Sequence, residues 1–462
     1  MESSKSLGTE KIGKLILKQA IPASIGFLIL SIYSIVDTIY VGRYVGSLAI
    51  AAITVVMPIS FLISSIGIAI GVGGASIISR ALGKKDIEKA KLTFGNQISL
   101  TLFSSISFVI LGFILEEPIL LLFGGKGGIL EHAQVYFRII LYGVPFLAWA
   151  MMANNVIRSV GKPKVAMFTL IVPAIINIIL DPIFIFGFDL GLAGAAWATT
   201  ISYVCSAGYT LWFFISSKSE MKITRKGLSL NKELVKEIFS IGFISMARQG
   251  SISLLTVVLN HSLFAYGGEL GVAVYGIINR LMMLLMFPII GLTQGFMPIA
   301  GFNYGAGAVD RVKQTIKTSI KYGFLVSSIL LALLILFSES IVEIFTQDEY
   351  LLQETPKALI LVFLASPIVP LQMIGAAYFQ AIGKAFPALL LTLTKQGFFL
   401  VPLVLILPPF YDTNGIWYSF PIADFLAAIV TVLYLDREIR KNLISNPDKI
   451  PRPEIPNEKD LS

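Results

Sequence analysis

The stretches GVGGASIISRALGKKDIEKAK (71–91) and GFMPIAGFNYGAGAVDRVKQT (295–315) lie on one another without a gap. At a constant offset, Gly71 meets Gly295, Gly83 meets Gly307 and Asp86 meets Asp310. A second pair, IRSVGKPKVA (157–166) and FQAIGKAFPA (379–388), repeats the match, and Trp197 answers Trp417. Apolar composition alone does not align Gly, Asp and Trp, so the chain reads as one unit written twice.

Around these stretches the composition is that of a membrane protein. Of 462 residues, 55% are hydrophobic and only 14% charged, too few to solvate the surface of a soluble chain. Stretches such as 19–36, 98–115, 192–217 and 387–410 are each long enough to cross a bilayer as a helix. About twelve spans are expected by that criterion: 15–41, 48–81, 92–115, 132–160, 163–188, 192–216, 233–266, 270–302, 312–338, 352–383, 387–410 and 413–435. The basic start is followed by an apolar run through Val41 that lacks a small-residue cleavage site, so it reads as a retained first helix. Residues 1–14 form an N-terminal segment, 15–216 and 233–435 two six-helix lobes, 217–232 a linker and 436–462 a tail.

Basic residues collect in alternate loops. Lys84, Lys85, Lys89 and Lys91 are followed by Lys162 and Lys164, then by Lys218, Lys222, Arg225, Lys226 and Lys232. The intervening loops carry Glu116, Glu117, Asp189, Glu269, Glu339 and Asp412. By the positive-inside rule both termini are cytoplasmic. Each half then holds an even number of spans, and the repeats are parallel, an arrangement that places a substrate cavity between lobes.

The net charge of +8 is therefore topology and points to no nucleic-acid partner. Cys205 is the single cysteine and His132 and His261 the two histidines, which exclude a disulfide framework and a Cys/His metal centre. GVGGAS (71–76) lies in a helix with no preceding strand, and GGKGG (124–128) lacks the Lys-Ser/Thr of a phosphate loop. No nucleotide, no cofactor and no enzymatic constellation is indicated.

An ionisable side chain inside the bilayer costs about 2.5–3.5 kcal/mol on insertion scales, so each one needs a reason. Asp37 lies near the outer end of span 1 and Asp181 near that of span 5, with Asn177 one turn below it on the same face. Span 6 puts Thr199 at similar depth, and Tyr33 and Asn154 stand as neighbours from spans 1 and 4. Such oxygens suit a hard monovalent cation or a proton, and two carboxylates at one buried site cannot both ionise cheaply. The plainer alternative is that both aspartates snorkel to water. Pro173 and Pro182 remove backbone hydrogen bonds and let span 5 bend. At the repeat offsets Asp37 corresponds to Asn260 or His261, Asn177 to Phe399 and Asp181 to Leu403. The second half has instead Arg248, Arg280, Lys395 and Asp424, which either line a cavity or pair structurally. Met282 and Met286, with Met283, offer an adaptable wall or ordinary packing.

With these spans, repeats and motifs the chain resembles the multidrug and toxic compound extrusion (MATE) family over roughly residues 10–440. The resemblance rests on PIAGFNYGAGAVDRVKQ (298–314), similar to bacterial MepA-like members, on IVDTIYVGR in span 1 and on the Asn-x-x-x-Asp of span 5. It implies an all-α, V-shaped, two-lobed bundle of twelve transmembrane helices in the cell membrane of a prokaryote. It also implies an antiporter that exports amphipathic, usually cationic, molecules against entering Na⁺ or H⁺. In DinF-like and MepA-like members the matching residues hold the cation, here Asp37, Asn177, Asp181 and Thr199, where Na⁺ would bind. The NorM-like pattern of acidic residues on helices 7 and 10 is missing. A lipid-linked precursor flippase of the same superfamily is the alternative.

Overall fold

The computed structural model describes residues 2–216, 219–223 and 225–444, and among them only helices, turns and bends occur. Without water in the bilayer, a backbone must satisfy its own N–H and C=O groups, which a helix does within one segment. The first repeat runs α1 (Ile12–Tyr44), α2 (Ser47–Gly83), α3 (Ile87–Ile114), α4 (Gly128–Ser159), α5 (Pro163–Pro182) and α6 (Gly191–Ile215). The second repeat opens with a 74-residue helix, Lys232–Gly305, broken at Gly268, whose φ of 61° only glycine adopts freely. Its limbs are α7 (232–267) and α8 (269–305). They are followed by α9 (Val309–Glu343), α10 (Glu349–Ala381), α11 (Ala385–Ile406) and α12 (413–438), the last starting after Asp412 at φ 50°. The segments correspond one for one to the expected spans. A π-helical end, Ile439–Ile444, prolongs α12, and the rest of the expected tail lies outside the described residues.

The chain divides into two compact units, and the division does not fall between the repeats. Of the described residues, 25–81 and 86–245 form most of one unit; 6–24, 82–85 and 246–444 form the other. The start of α7 is therefore built into the first unit and the start of α1 into the second.

In the first unit, Arg80 pairs with Glu237 at 2.8 Å and Lys89 approaches it at 4.0 Å. A Cβ on Gly73 would fall on the backbone of Ile238, and one on Gly242 on that of Ala69, so these glycines set how closely α2 and α7 pack. Asn96 on α3 donates to the carbonyls of Gly227 and Ser229, both at 3.2 Å, and accepts from the Asn231 N–H at 2.7 Å. Asn231 in turn caps α7 by accepting from Glu233 N at 3.0 Å and Leu234 N at 3.1 Å. The end of the linker, residues 227–231, is thus fastened to α3.

In the second unit, Arg311 donates to the carbonyls of Glu10 at 2.8 Å and Leu7 at 3.3 Å, and its Nε donates to Asn303 Oδ1 at 2.9 Å. Asn303 Nδ2 donates to the same Leu7 carbonyl at 2.9 Å. Both residues belong to the 295–315 stretch. These two polar letters are explained by what they hold, carbonyls at the end of a short helix, Glu2–Thr9, that precedes α1.

The structure corrects the register of the repeat. Asp86 is the N-cap of α3, accepting from Lys89 N at 2.9 Å, whereas the N-cap of α9 is Ala308 and Asp310 lies in its first turn. Matching caps by structure moves the alignment there by two residues, so the Gly and Asp coincidences of the ungapped alignment are not structural equivalences. The 157–166/379–388 pairing stands as aligned: Gly161 and Gly383 both turn with positive φ, 78° and 84°, before α5 and α11. Trp197 is exposed and Trp417 buried. The true equivalents are Gly194 and Gly415, each pressed against the backbone that ends the preceding span, one residue out of step with the Trp match.

Replacing both Asn303 and Arg311 by Ala should leave the carbonyls of Leu7 and Glu10 without these partners, at a cost of about 1–3 kcal/mol per lost charged or buried hydrogen bond. Trypsin cleavage at Lys5 or Lys11, followed by mass spectrometry, should accelerate several-fold; unchanged cleavage would show that the N-terminal helix is held by something else.

Candidate cation and transport site

Within the first unit α1, α4, α5 and α6 bring a group of polar side chains into an apolar bundle. Asp181, Asn177 and Thr199 are buried, with 0%, 1% and 4% exposure. Asn177 sits between the other two. Oriented by its partners, its amide nitrogen donates to Asp181 Oδ2 at 2.9 Å and its oxygen accepts from the Thr199 hydroxyl at 3.2 Å. The Asp37 carboxyl reaches that of Asp181 within hydrogen-bonding range. Two carboxylates in such contact need a proton or a cation between them. Asp37 Oδ1 is shielded from solvent and has no protein hydrogen-bond partner, an orphaned acceptor that a cation would satisfy.

Tyr33 lies close to Asp37 and Asp181, and Tyr136 of α4 and Tyr203 of α6 close around the same group. Tyr203 was legible, being one turn from Thr199 on the same face. Tyr136 was not, because only the packing of α4 brings it there. Backbone irregularity accompanies the site: α5 contains Pro173, ends at Pro182 and continues as a π-helical turn, Ile183–Gly187, a form that recurs at functional sites.

Asn154 is elsewhere. Its amide donates to Ala166 O at 2.7 Å and Thr169 Oγ1 at 2.5 Å and accepts from Arg158 Nη2 at 2.9 Å. It fastens the end of α4 to the start of α5, about two to three turns along α5 from Asn177, so it does not join the Asp37 group. Asn260 and His261 are exposed. The structural register puts buried Leu259 opposite Asp37, and Leu259 shares an apolar core with Phe399, Leu403 and Phe420. The second repeat fills the equivalent space with hydrocarbon.

The remaining candidates separate. Half-buried Lys395 and buried Asp424 form an ion pair at 2.5 Å. Arg248 is half-buried and Arg280 exposed, and neither is brought into that pair. Met282 packs against the apolar core of the second repeat, and Met286 borders a small apolar pocket with Ser327, Leu331 and Phe363. Among the described residues no three His, Cys, Asp or Glu side chains converge as a metal centre.

The MatE family model matches the chain twice, over residues 22–183 and 243–406. The chain belongs to the MatE family. The double match reproduces the repeat, and this MatE protein is a multi-pass membrane transporter of small molecules, not an enzyme. It is similar to the multidrug export protein MepA of Staphylococcus aureus, 28% identical over 92% of this chain and 94% of that protein. Its fold matches the outward-facing conformation of a multidrug resistance MATE transporter of the MOP superfamily with a TM-score of 0.90, at 27% identity over 95% of this chain and 98% of that one. A MOP-superfamily transporter of Pyrococcus furiosus, described as having a binding pocket of reverse polarity suggesting a different function, matches with a TM-score of 0.88 at 27% identity over 95% and 98% of the chains.

Asn154→Ala should orphan the Arg158 guanidinium and lower stability by about 1–3 kcal/mol, seen as a lower Tm in detergent, with any dependence of transport on Na⁺ or pH unaltered. A lost ion dependence in a folded Asn154→Ala protein would return Asn154 to the cation site.

Proposed function

We propose that this MatE protein is a secondary antiporter that exports amphipathic organic cations from a prokaryotic cell, coupled to Na⁺ or H⁺ through Asp37, Asn177, Asp181 and Thr199. The observation that carries the reading is the contact of Asp37 with Asp181, braced by Asn177 and Thr199. Their oxygens fit a monovalent cation: two carboxylates, an amide and a hydroxyl, with one carboxylate oxygen lacking a protein partner. A proton would serve the same contact by letting one carboxyl donate to the other.

In this reading the ion or proton entering from outside joins α1 to α5 and α6, and its departure lets the two carboxylates repel. Pro173, Pro182 and the π-helical turn give α5 the freedom to respond. A ligand shifts such an equilibrium only by its differential affinity for the two states; a site whose two carboxylates tolerate contact only when occupied supplies that difference. Alternating access then carries cargo outward. Both termini lie on the cytoplasmic side, as the loop charges indicate.

The flippase alternative draws on Arg248, Arg280 and Lys395 as a cationic lining, and on the Pyrococcus relative of reverse polarity. Pairing of Lys395 with Asp424 removes one of those charges and weakens it.

The test is efflux of a fluorescent cationic dye from proteoliposomes under separately imposed Na⁺ and pH gradients. Asp37→Asn and Asp181→Asn should each remain folded and lose gradient-driven efflux by more than tenfold. Efflux by either at the wild-type rate would remove the site from the mechanism. Absence of dye movement by the wild type under both gradients would favour the flippase.

A further inference from the structure

The pair in the second repeat joins α11 to α12, the helices that correspond to α5 and α6. In the structural register Lys395 stands opposite Pro173, one turn from Asn177. Counting from the equivalent glycines Gly194 and Gly415, Asp424 stands opposite Tyr203, which borders Asp37 in the first repeat. A carboxylate thus stands on the same helix pair, one turn along α12 from Phe420, the equivalent of Thr199, and here a side chain supplies the cation.

The two partners are held differently. The side chain of Asp424 is 4% exposed and that of Lys395 22%. A carboxylate at that depth cannot stand uncompensated, whereas Lys is a point charge on a flexible four-carbon stem that reaches solvent readily. Around Lys395 the helix is π-helical from Thr394 to Leu400, which widens the turn that carries the ammonium. The next residue, Gln396, keeps a buried Oε1 without a protein partner.

We propose that Asp424 is a second monovalent-cation site, in the second repeat, and that the Lys395 ammonium is its built-in occupant. An ammonium and a small free cation offer a carboxylate oxygen the same charge, and the tether keeps the ammonium beside the carboxylate. Taken with the proposed coupling site, on which this last step alone rests, the second repeat contributes no exchangeable ion and the first repeat alone sets the ion count per cycle.

The experiment measures thermal unfolding of the purified full-length protein in choline, sodium or methylammonium chloride at equal ionic strength. In an Asp37→Asn background, Lys395→Ala should gain a Tm rise of several degrees in methylammonium or sodium relative to choline, as ligand linkage requires. Asp37→Asn alone, and Asp37→Asn with Lys395→Ala and Asp424→Asn, should show none. Equal Tm values in the three salts, or the same shift with Asp424→Asn present, would overturn the proposal. If the Lys395→Ala protein is recovered only with methylammonium or sodium, the site binds free cations as proposed. If it is lost in every salt while the added Asp424→Asn restores it, Asp424 accepts no free ion and the proposal is wrong. Failure of the first-repeat site would appear separately, as wild-type dye efflux by Asp37→Asn or Asp181→Asn, and would leave the Asp424-dependent difference unchanged.

Discussion

Inside an apolar bundle, a polar or charged group must find its partner within the protein, because leaving it alone costs more than any packing contact returns. That constraint organises this molecule. It makes every described span a helix, draws Asn177 between Asp181 and Thr199, ties Lys395 to Asp424, and turns Arg311 and Asn303 toward carbonyls that end a short helix. The one exception in the first repeat's polar group is Asp37 Oδ1, and the exception falls where a mobile charge would do the work of a fixed partner.

The two repeats meet the same constraint in different ways. In the first, Asp37, Asn177, Asp181 and Thr199 occupy positions that the second fills with Leu259, Phe399, Leu403 and Phe420. The hydrocarbon set needs no compensation and favours a single packing. The polar set instead brings two carboxyls into contact and leaves one carboxylate oxygen without a protein partner. The two repeats are frames of equal topology, and the polar group lies in the first of them.

Much of this was legible in the residues. Span number, span limits and the four polar side chains follow from apolar length, from the cost of a carboxylate in lipid and from one-turn spacing along α5. What was not legible depends on distances across the bundle. Asn154 and Asp37 both lie in apolar helices, but only the fold separates them, because the depth of Asn154 on α4 is set by its handover to α5. The ungapped match of 71–91 with 295–315 misled by two residues, since equal letters at Asp86 and Asp310 do equal duty only if both cap a helix, and one does not. Tyr136 gave no sign, its role being decided by the packing of α4 alone.

The beginnings of α1 and α7 are each housed in the unit opposite to the rest of their repeat. A single repeat would therefore expose the face that receives such a segment, Gly73 of α2 among it, and would carry a segment with nowhere to dock. Two separate copies could satisfy one another by trading those segments, as domain-swapped dimers do. The present chain has the form expected of a gene fusion that made an obligatory exchange between two polypeptides permanent.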